Sequence, residues 1–134
     1  MNWTPWSPRS EIFEKMRRSY VFLFPSMRDG GGAVVVEAMA NGLPVVCLDL
    51  AGPALHVRDD YGVKIPSGRP DEVAAELAAA LGRFRFDPGL RARMGAAGRD
   101  RAASFYEWGR LGERLRRIYD DALAGRPPRR EDRP

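Results

Sequence analysis

The sequence is poor in several residue types on which whole classes of function depend. It has one cysteine, Cys47, and one histidine, His56, so it forms no internal disulfide and offers no cysteine–histidine cluster to a metal ion. A lone cysteine is typical of a reducing compartment, which indicates a cytoplasmic protein. The longest apolar run, residues 20–25, is too short for a membrane span, and residues 1–6 lack the apolar stretch of a signal peptide.

Lysine is also scarce, and the positive charge comes from arginine. The chain of 134 residues has a formal net charge of +4, with Lys15 and Lys64 as its only lysines. This arginine excess either reflects a general bias in composition without a function or serves to attract anions such as diphosphates and acidic membrane surfaces. No motif that reads nucleic acid is present, so we expect no nucleic-acid partner. Trp3 and Trp6 predict an exposed apolar patch that favours self-association.

Strands and helices alternate in the first half of the chain. Apolar runs at 20–24, 44–48 and 62–66 predict three strands, the first of them buried on both faces. One helix is predicted before the first strand, at 8–18, and one between the first and second strands, at 33–40, and the alternation indicates a parallel sheet flanked by helices. A chain of this length forms one domain.

The second half reads as three helices. The first opens with a proline at residue 70 and is expected to stop at Gly82. Asp87 begins the next helix, and a capping-box motif at 104–107 begins the last, whose apolar stripe predicts that Trp108 is a core residue. We assign residues 1–124 to the folded domain and 125–134 to a disordered tail.

A glycine-rich turn leads from the first strand into the second helix. Gly30, Gly31 and Gly32 let the backbone approach a ligand closely, and the unpaired amides at the start of the helix, with its dipole, favour an anion. The turn matches neither the GxGxxG fingerprint nor a P-loop. Two interpretations stay open: a diphosphate site, and a tight strand-to-helix turn without a ligand.

Two carboxylates flank the turn. Asp29 precedes the glycines, and Glu37 lies about one turn inside the helix, where its side chain can point back toward the helix start. A carboxylate accepts two hydrogen bonds, which suits the vicinal hydroxyls of a ribose or hexose. The alternative for Glu37 is a solvated helix residue, but its neighbours are apolar, so its carboxylate needs a partner.

The run of residues 24–46 resembles the donor-site signature of the group 1 glycosyltransferases (family 4, GT-B fold), which reads PS…EGxGxxxxEAMAxGxPVV with two acids separated by seven residues. Residues 49–53 resemble the GGP-type turn that follows, and residues 105–108 resemble the aromatic segment before the family's C-terminal helix. The resemblance implies an α/β fold, a Rossmann-like parallel sheet flanked by helices that forms the single C-terminal half of a GT-B fold.

The resemblance also implies roles for individual residues. Asp29 matches the acid that contacts hydroxyls of the donor sugar, and Glu37 matches the acid that binds the nucleotide ribose. The backbone positions that approach the sugar and the diphosphate are Gly30, Gly31, Gly32, Ala33 and Val34. The first acid is one methylene shorter than the usual glutamate, and Ala51 stands where a glycine is frequent.

The activity implied by the resemblance is retaining transfer of a sugar from a nucleotide diphosphate-sugar to an acceptor, of the hexosyltransferase type (EC 2.4), with no metal and no cofactor. The acceptor-binding N-terminal domain and the basic pair that grips the diphosphate would precede Met1. We therefore expect the isolated chain to bind the donor without completing a catalytic site. Peripheral membrane association is expected only through the full-length enzyme.

Two other hypotheses remain. The chain is alternatively a non-catalytic structural or partner-binding remnant of the same fold. A dinucleotide-using domain is disfavoured because the GxGxxG fingerprint is absent. Of the remaining polar residues, His56 is expected to be a solvated surface residue rather than a ligand contact, because Arg58 and Asp59 are near it, and Cys47 is expected to pack in the core.

Overall fold

Three parallel strands and six α-helices make up the part of the chain that the structure, a computed structural model, describes: residues 3–127 and residue 129. In chain order the elements are α1 (Arg9–Arg17), β1 (Phe22–Phe24), α2 (Ala33–Ala40), β2 (Val45–Leu48), α3 (Ala51–His56), β3 (Gly62–Ile65), α4 (Pro70–Phe86), α5 (Pro88–Arg101), a π-helix (Ala102–Tyr106) and α6 (Trp108–Leu123). The predicted tail, from residue 125 onward, lies largely outside the described residues.

The sheet has the order β1-β2-β3, and both strand pairs are parallel. Phe22 aligns with Val45 across the first pair, and Cys47 aligns with Lys64 across the second. The helices α2 and α3 make the two connections between neighbouring strands. The predicted parallel α/β architecture with a Rossmann-like arrangement is therefore confirmed.

Successive residues of β2 pack against different helical layers, because side chains alternate between the two faces of a strand. Val45 and Cys47 belong to a core formed with α1 and α2, while Val46 and Leu48 belong to a core formed with α4 and α5. All four residues of β2 are buried, with exposed fractions of 0–5%. The prediction that Cys47 packs in the core is confirmed.

The prediction that the first strand is buried on both faces is wrong. Strand β1 begins at Phe22, and Leu23 is 39% exposed while Tyr20, outside the strand, is 72% exposed. Among the described residues β1 pairs only with β2, so it is an edge strand. An apolar run alone does not distinguish an edge strand from a central one.

The helical boundaries of the second half differ from the sequence prediction at two places. Helix α4 continues through Gly82 to Phe86, because one interior glycine costs only about 1 kcal/mol, which packing of the following turn offsets. The expected capping box does not form: the chain continues from α5 into the π-helix, and Glu107 caps α6 by accepting a hydrogen bond from the Arg110 amide at 3.2 Å. The segment after Gly52-Pro53, which carried no helix prediction, is part of the short helix α3.

Trp108 lies on the surface, with 86% of its area exposed, so the prediction that it is a core residue is wrong. The helical spacing of the apolar residues in α6 is present, but the helix packs mainly on the π-helix: Leu111 and Ile118 are partly buried, while Trp108 and Leu115 are exposed. Trp3 and Trp6 are also exposed, at 85% and 80%.

One contact between helix α5 and the turn after α2 is made by backbone alone. A Cβ atom placed on Gly95 would lie 2.1 Å from the carbonyl oxygen of Gly42, a distance that no real side chain tolerates. Position 95 therefore requires glycine, and the contact fixes how closely α5 approaches α2.

Candidate functional site

The glycine-rich turn between β1 and α2 is held by its own acidic residue. Oδ1 of Asp29 accepts hydrogen bonds from the amides of Gly31 at 2.9 Å and Gly32 at 2.6 Å. Gly32 has φ of 61°, in the left-handed region that favours glycine, and its carbonyl oxygen accepts a hydrogen bond from the Val35 amide. Two of the amides predicted to face a ligand thus donate to Asp29 in this structure.

The outer side of the turn is open. A Cβ atom placed on Gly30 or Gly31 would meet no atom within 4 Å. The amides of Ala33 and Val34 are the first two of α2, so neither has an acceptor inside the helix. Backbone donors and the positive end of the α2 dipole therefore remain at the surface beside the open side of the turn.

The inner side of the turn packs against α3. The amide of Gly52 donates to the carbonyl oxygen of Asp29 at 3.2 Å, and Nε2 of His56 lies 2.8 Å from the carbonyl oxygen of Gly31. A Cβ atom on Gly32 would approach Cδ2 of His56 to 2.9 Å, so this glycine is required by its neighbour as well as by its φ angle. Helix α3 acts as a support on which the turn rests.

His56 is not the solvated surface residue that the sequence predicted. Its ring is half-buried, and its second nitrogen, Nδ1, lies 2.8 Å from the hydroxyl oxygen of Tyr106 in the π-helix. The two rings meet edge-on, with centroids 5.2 Å apart. The polar neighbours of His56 in sequence suggested solvent exposure, whereas a contact fifty positions away determines its environment.

Glu37 lies on the partly exposed side of α2, one turn after Ala33. Its Oε1 accepts a hydrogen bond from Nη2 of Arg9 at 2.6 Å, and its side chain is 31% exposed. The predicted need for a partner is met by Arg9, which α1 supplies and which is itself 73% exposed. The carboxylate is thus at the surface, with Oε2 left to accept further hydrogen bonds.

Glu37 also lines a cavity of about 320 Å³ between α2 and the π-helix. The other lining residues are Val36, Ala40, Arg99, Ala102, Ala103, Tyr106 and Glu107. The cavity is mostly apolar, with charged groups at its margin, as in many small-ligand sites. Tyr106 therefore contributes both to this cavity and to the contact with His56.

Two groups at the cavity, Glu107 and Tyr106, have shifted pKa values. The backbone amides of Gly109 and Arg110 lower the pKa of the Glu107 carboxyl, so this side chain is an anion. Burial raises the pKa of the Tyr106 hydroxyl, so Tyr106 stays protonated and able to donate a hydrogen bond.

Asp29 and Glu37 thus lie on either side of the start of α2. Asp29 is in the turn before the helix, and Glu37 is one helical turn inside it. The amides of Ala33 and Val34 lie between them along the chain. The sequence reasoning missed His56 and Tyr106, whose contact depends on the packing of α3 against the π-helix. It also missed the fact that Asp29 satisfies two amides of its own turn.

The described residues contain neither a metal-binding cluster nor a membrane-spanning helix. No group of three or more histidine, cysteine, aspartate or glutamate side chains in this part of the chain is arranged to hold a metal ion. None of its helices has both the length and the hydropathy needed to cross a bilayer.

Comparison with curated proteins finds several relatives of one kind. A D-inositol 3-phosphate glycosyltransferase of Streptomyces griseus subsp. griseus is 37% identical over 116 residues, which cover 87% of this chain and 24% of that protein. The enzyme of the same name from Thermobifida fusca is 36% identical over 120 residues, covering 89% of the chain and 26% of the relative. For the one from Streptomyces bingchenggensis, the identity is 30% over 118 residues. The chain spans about a quarter of the length of these relatives.

A comparison with protein families gives a match that covers most of the chain. The family described as "Glycosyl transferases group 1" matches residues 1–101, which include the turn, both acids and all three strands. This match agrees with the parallel α/β fold and with the resemblance noted in residues 24–46. The chain therefore belongs to the group 1 glycosyl transferases.

Proposed function

We propose that the chain is the donor-binding domain of a retaining, metal-independent glycosyltransferase and that it binds a nucleotide diphosphate-sugar. One observation carries the proposal: the first amides of α2 are at the surface, beside an open glycine turn, with one carboxylate on each side of them along the chain. A diphosphate needs backbone donors and a positive dipole, and sugars need carboxylate acceptors, so the arrangement suits both parts of such a donor.

The diphosphate is assigned to the start of α2. The amides of Ala33 and Val34 would donate to its oxygens, and the open side of Gly30 and Gly31 gives it room against the backbone. In transfer, the diphosphate leaves with added negative charge. Preorganised amides at a helix start stabilise that charge, which is how a metal-independent enzyme assists departure.

Glu37 is assigned to the ribose. Oε1 already accepts from Arg9, so Oε2 is the atom left for ribose hydroxyls. Asp29 is assigned to the donor sugar on the same basis, because Oδ1 holds the turn and Oδ2 remains to accept from a hydroxyl. Aspartate has a shorter side chain than glutamate. It suits this dual role because one oxygen can accept hydrogen bonds from the amides two and three residues later in the same turn.

Catalysis is proposed for a longer protein. The chain spans about a quarter of its relatives' length, so the acceptor site and the other wall of the cleft are assigned to the remainder. Without them the reacting groups are neither positioned nor shielded from water. We expect the isolated chain to bind donor without hexosyl transfer, and we expect no cofactor.

The test is ligand binding by the isolated chain, measured by isothermal titration calorimetry and by thermal denaturation with UDP-, GDP- and ADP-glucose. We expect one nucleotide to bind and to raise the melting temperature. Glu37→Gln removes the charge that strengthens hydrogen bonds from ribose and should weaken binding about tenfold. The replacement keeps the size of the side chain, so its effect reports on charge.

Glu76→Gln is the matched control, because Glu76 is an exposed glutamate on α4, which packs on the other face of the sheet. It should leave the affinity unchanged. If millimolar concentrations of all three donors fail to bind, or if both variants weaken binding equally, the proposed donor site is wrong.

A second candidate function is partner binding without catalysis. The exposed apolar side chains of α6 favour it, with Trp108 at 86% and Leu115 at 53% exposure. This candidate predicts tight association with a separately expressed N-terminal glycosyltransferase domain and no nucleotide binding. Co-purification of the two chains, beside the calorimetry above, separates the two candidates.

A further inference from the structure

His56 and Tyr106 make none of the donor contacts proposed above. His56 nevertheless contacts the glycine-rich turn, and Tyr106 lines the Glu37 cavity. His56 belongs to α3, Gly31 to the glycine-rich turn and Tyr106 to the π-helix that lines the Glu37 cavity. Both nitrogens of the His56 ring are within hydrogen-bond distance of an oxygen, at 2.8 Å in each case.

The chemistry of the two oxygens assigns the hydrogen atoms. The Gly31 carbonyl can only accept, so Nε2 of His56 carries a hydrogen and donates it. In a neutral imidazole Nδ1 is then an acceptor, and the Tyr106 hydroxyl donates to it. The chain of donors runs from Tyr106 through His56 to the turn, and every polar atom in it has a partner.

Tyr106 is itself held firmly. Its ring packs edge-on against Phe105, with centroids 4.9 Å apart, and Phe105 is only 8% exposed. The guanidinium groups of Arg101 and Arg114 lie over the Phe105 ring, at 3.7 and 3.8 Å from its centroid. The hydroxyl that reaches His56 is therefore fixed to the α5–α6 side of the molecule.

The Gly31 carbonyl and the Gly32 amide belong to one planar peptide, in which C=O and N–H point in opposite directions. The oxygen of this peptide accepts from His56, and its N–H donates to Oδ1 of Asp29 at 2.6 Å. Holding the oxygen therefore orients the N–H and, through it, the Asp29 carboxylate. Glycine on both sides of this peptide bond offers little resistance to rotation without such a contact.

We propose that His56 and Tyr106 are positioning residues that fix the 31–32 peptide and the Asp29 carboxylate for the diphosphate-sugar end of the donor. Tyr106 also lines the Glu37 cavity, but its hydroxyl contacts His56, so the pair acts through the turn at the diphosphate end. This inference rests on the proposed function. It adds two residues to the site that neither the turn motif nor the acid pair contains.

The experiment compares ligands with and without the diphosphate. Calorimetry measures the affinities of UDP, GDP and ADP, each beside its nucleoside, for the unmodified chain and for His56→Ala, His56→Gln and Tyr106→Phe. We expect His56→Ala to weaken the bound nucleoside diphosphate about tenfold and Tyr106→Phe about threefold, with nucleoside affinity unchanged. His56→Gln keeps an amide that can donate to the Gly31 carbonyl, so it should recover much of the loss.

A second measurement reports on the turn directly. Hydrogen exchange followed by NMR should show the Gly32 amide exchanging about tenfold faster in His56→Ala, while exchange in β2 stays unchanged. Leu55→Ala, which removes an exposed side chain from the same helix, is the control and should change neither quantity. A general loss of stability would accelerate β2 as well, so this pattern separates positioning from structural damage.

Unchanged diphosphate affinity in His56→Ala, together with unchanged Gly32 exchange, would overturn the inference. Equal weakening of nucleoside and diphosphate would also contradict it, because a role at the 31–32 peptide affects only the diphosphate end. If the unmodified chain binds no nucleoside diphosphate, the proposed function is wrong, and the Gly32 exchange rate still decides whether His56 holds the turn.

Discussion

Helices α2 and α6 show two outcomes of an apolar sequence. In α2, Val35, Ala38 and Met39 have no exposed surface, and the helix is enclosed by the sheet, α5 and the π-helix. In α6, apolar residues recur at helical spacing, yet Trp108 and Leu123 are more than 80% exposed. A pattern of apolar residues therefore defines a face that can be buried, whereas burial itself depends on what packs against that face.

The two helices are also held by different forces. Helix α2 is fixed by apolar packing on β1 and β2. Helix α6 is attached through polar and cation–π contacts: Arg114 donates to the Phe105 carbonyl at 3.2 Å, and its guanidinium lies over the Phe105 ring. At its other end, Asp121 pairs with Arg126 and Arg129 of the segment that follows the helix, at 2.6 and 3.1 Å. Substitution in α2 should therefore affect the whole domain, and substitution in α6 should affect mainly α6.

The largest expected effect comes from truncating the core of α2. Met39→Ala removes a fully buried side chain between the helix and the sheet, and it should lower the free energy of unfolding by about 3 kcal/mol. Urea denaturation followed by circular dichroism measures the change. A loss below about 1 kcal/mol, smaller than any usual cavity cost, would show that α2 is not the tightly packed helix that the comparison requires.

A smaller, local effect is expected at the end of α6. Hydrogen bonds from Arg126 and then Arg129 lower the pKa of the Asp121 carboxyl, so this group stabilises the folded state above its unfolded pKa of about 3.9. The contribution is lost as the pH falls through the lower folded-state pKa. NMR chemical shifts and amide exchange should report loosening of residues 122–126 before any change in α2. Simultaneous change in both helices would contradict separate stabilisation.

The smallest effect is expected for Trp108→Ala. Trp108 is the largest apolar residue of α6, but its side chain is in water, so the free energy of unfolding should change by no more than about 0.5 kcal/mol. Measured beside Met39→Ala, it tests the comparison with one large apolar side chain from each helix. A loss similar to that of Met39→Ala would mean that Trp108 is buried in solution, by self-association or by refolding of α6.

Much of the architecture follows from local sequence. The bounds of α2 agree with the prediction because its apolar residues end at Asn41-Gly42, and Gly42 has the positive φ of 75° that glycine favours. Strand β2 was also predicted, since a central parallel strand is apolar at every position. The stop at Gly82 was wrong because the α4 residues beyond it, such as Phe84, are buried in the core, and local propensity contains no such information.

The candidate site was predictable only in part. The turn and both acids are contiguous in sequence, and their roles toward a donor remain predictions. The resemblance also marked Ala51 as an alanine where glycine is frequent, and its φ of 51° gives the physical reason for glycine there. The His56–Tyr106 contact spans fifty positions and requires the π-helix to turn Tyr106 inward, so no local pattern indicates it.

The contact between Gly95 and the Gly42 carbonyl sets the distance between α5 and the end of α2, and no side chain lies between them to change it. Helix α5 continues directly into the π-helix, which carries Tyr106. The Gly95–Gly42 contact therefore also determines the width of the cavity between Tyr106 and Glu37. A methyl group at position 95 would act as a wedge and spread that cavity. The shape of this cavity should therefore change more readily by exchange of its lining side chains than by a shift of its walls, whose spacing depends on a backbone contact.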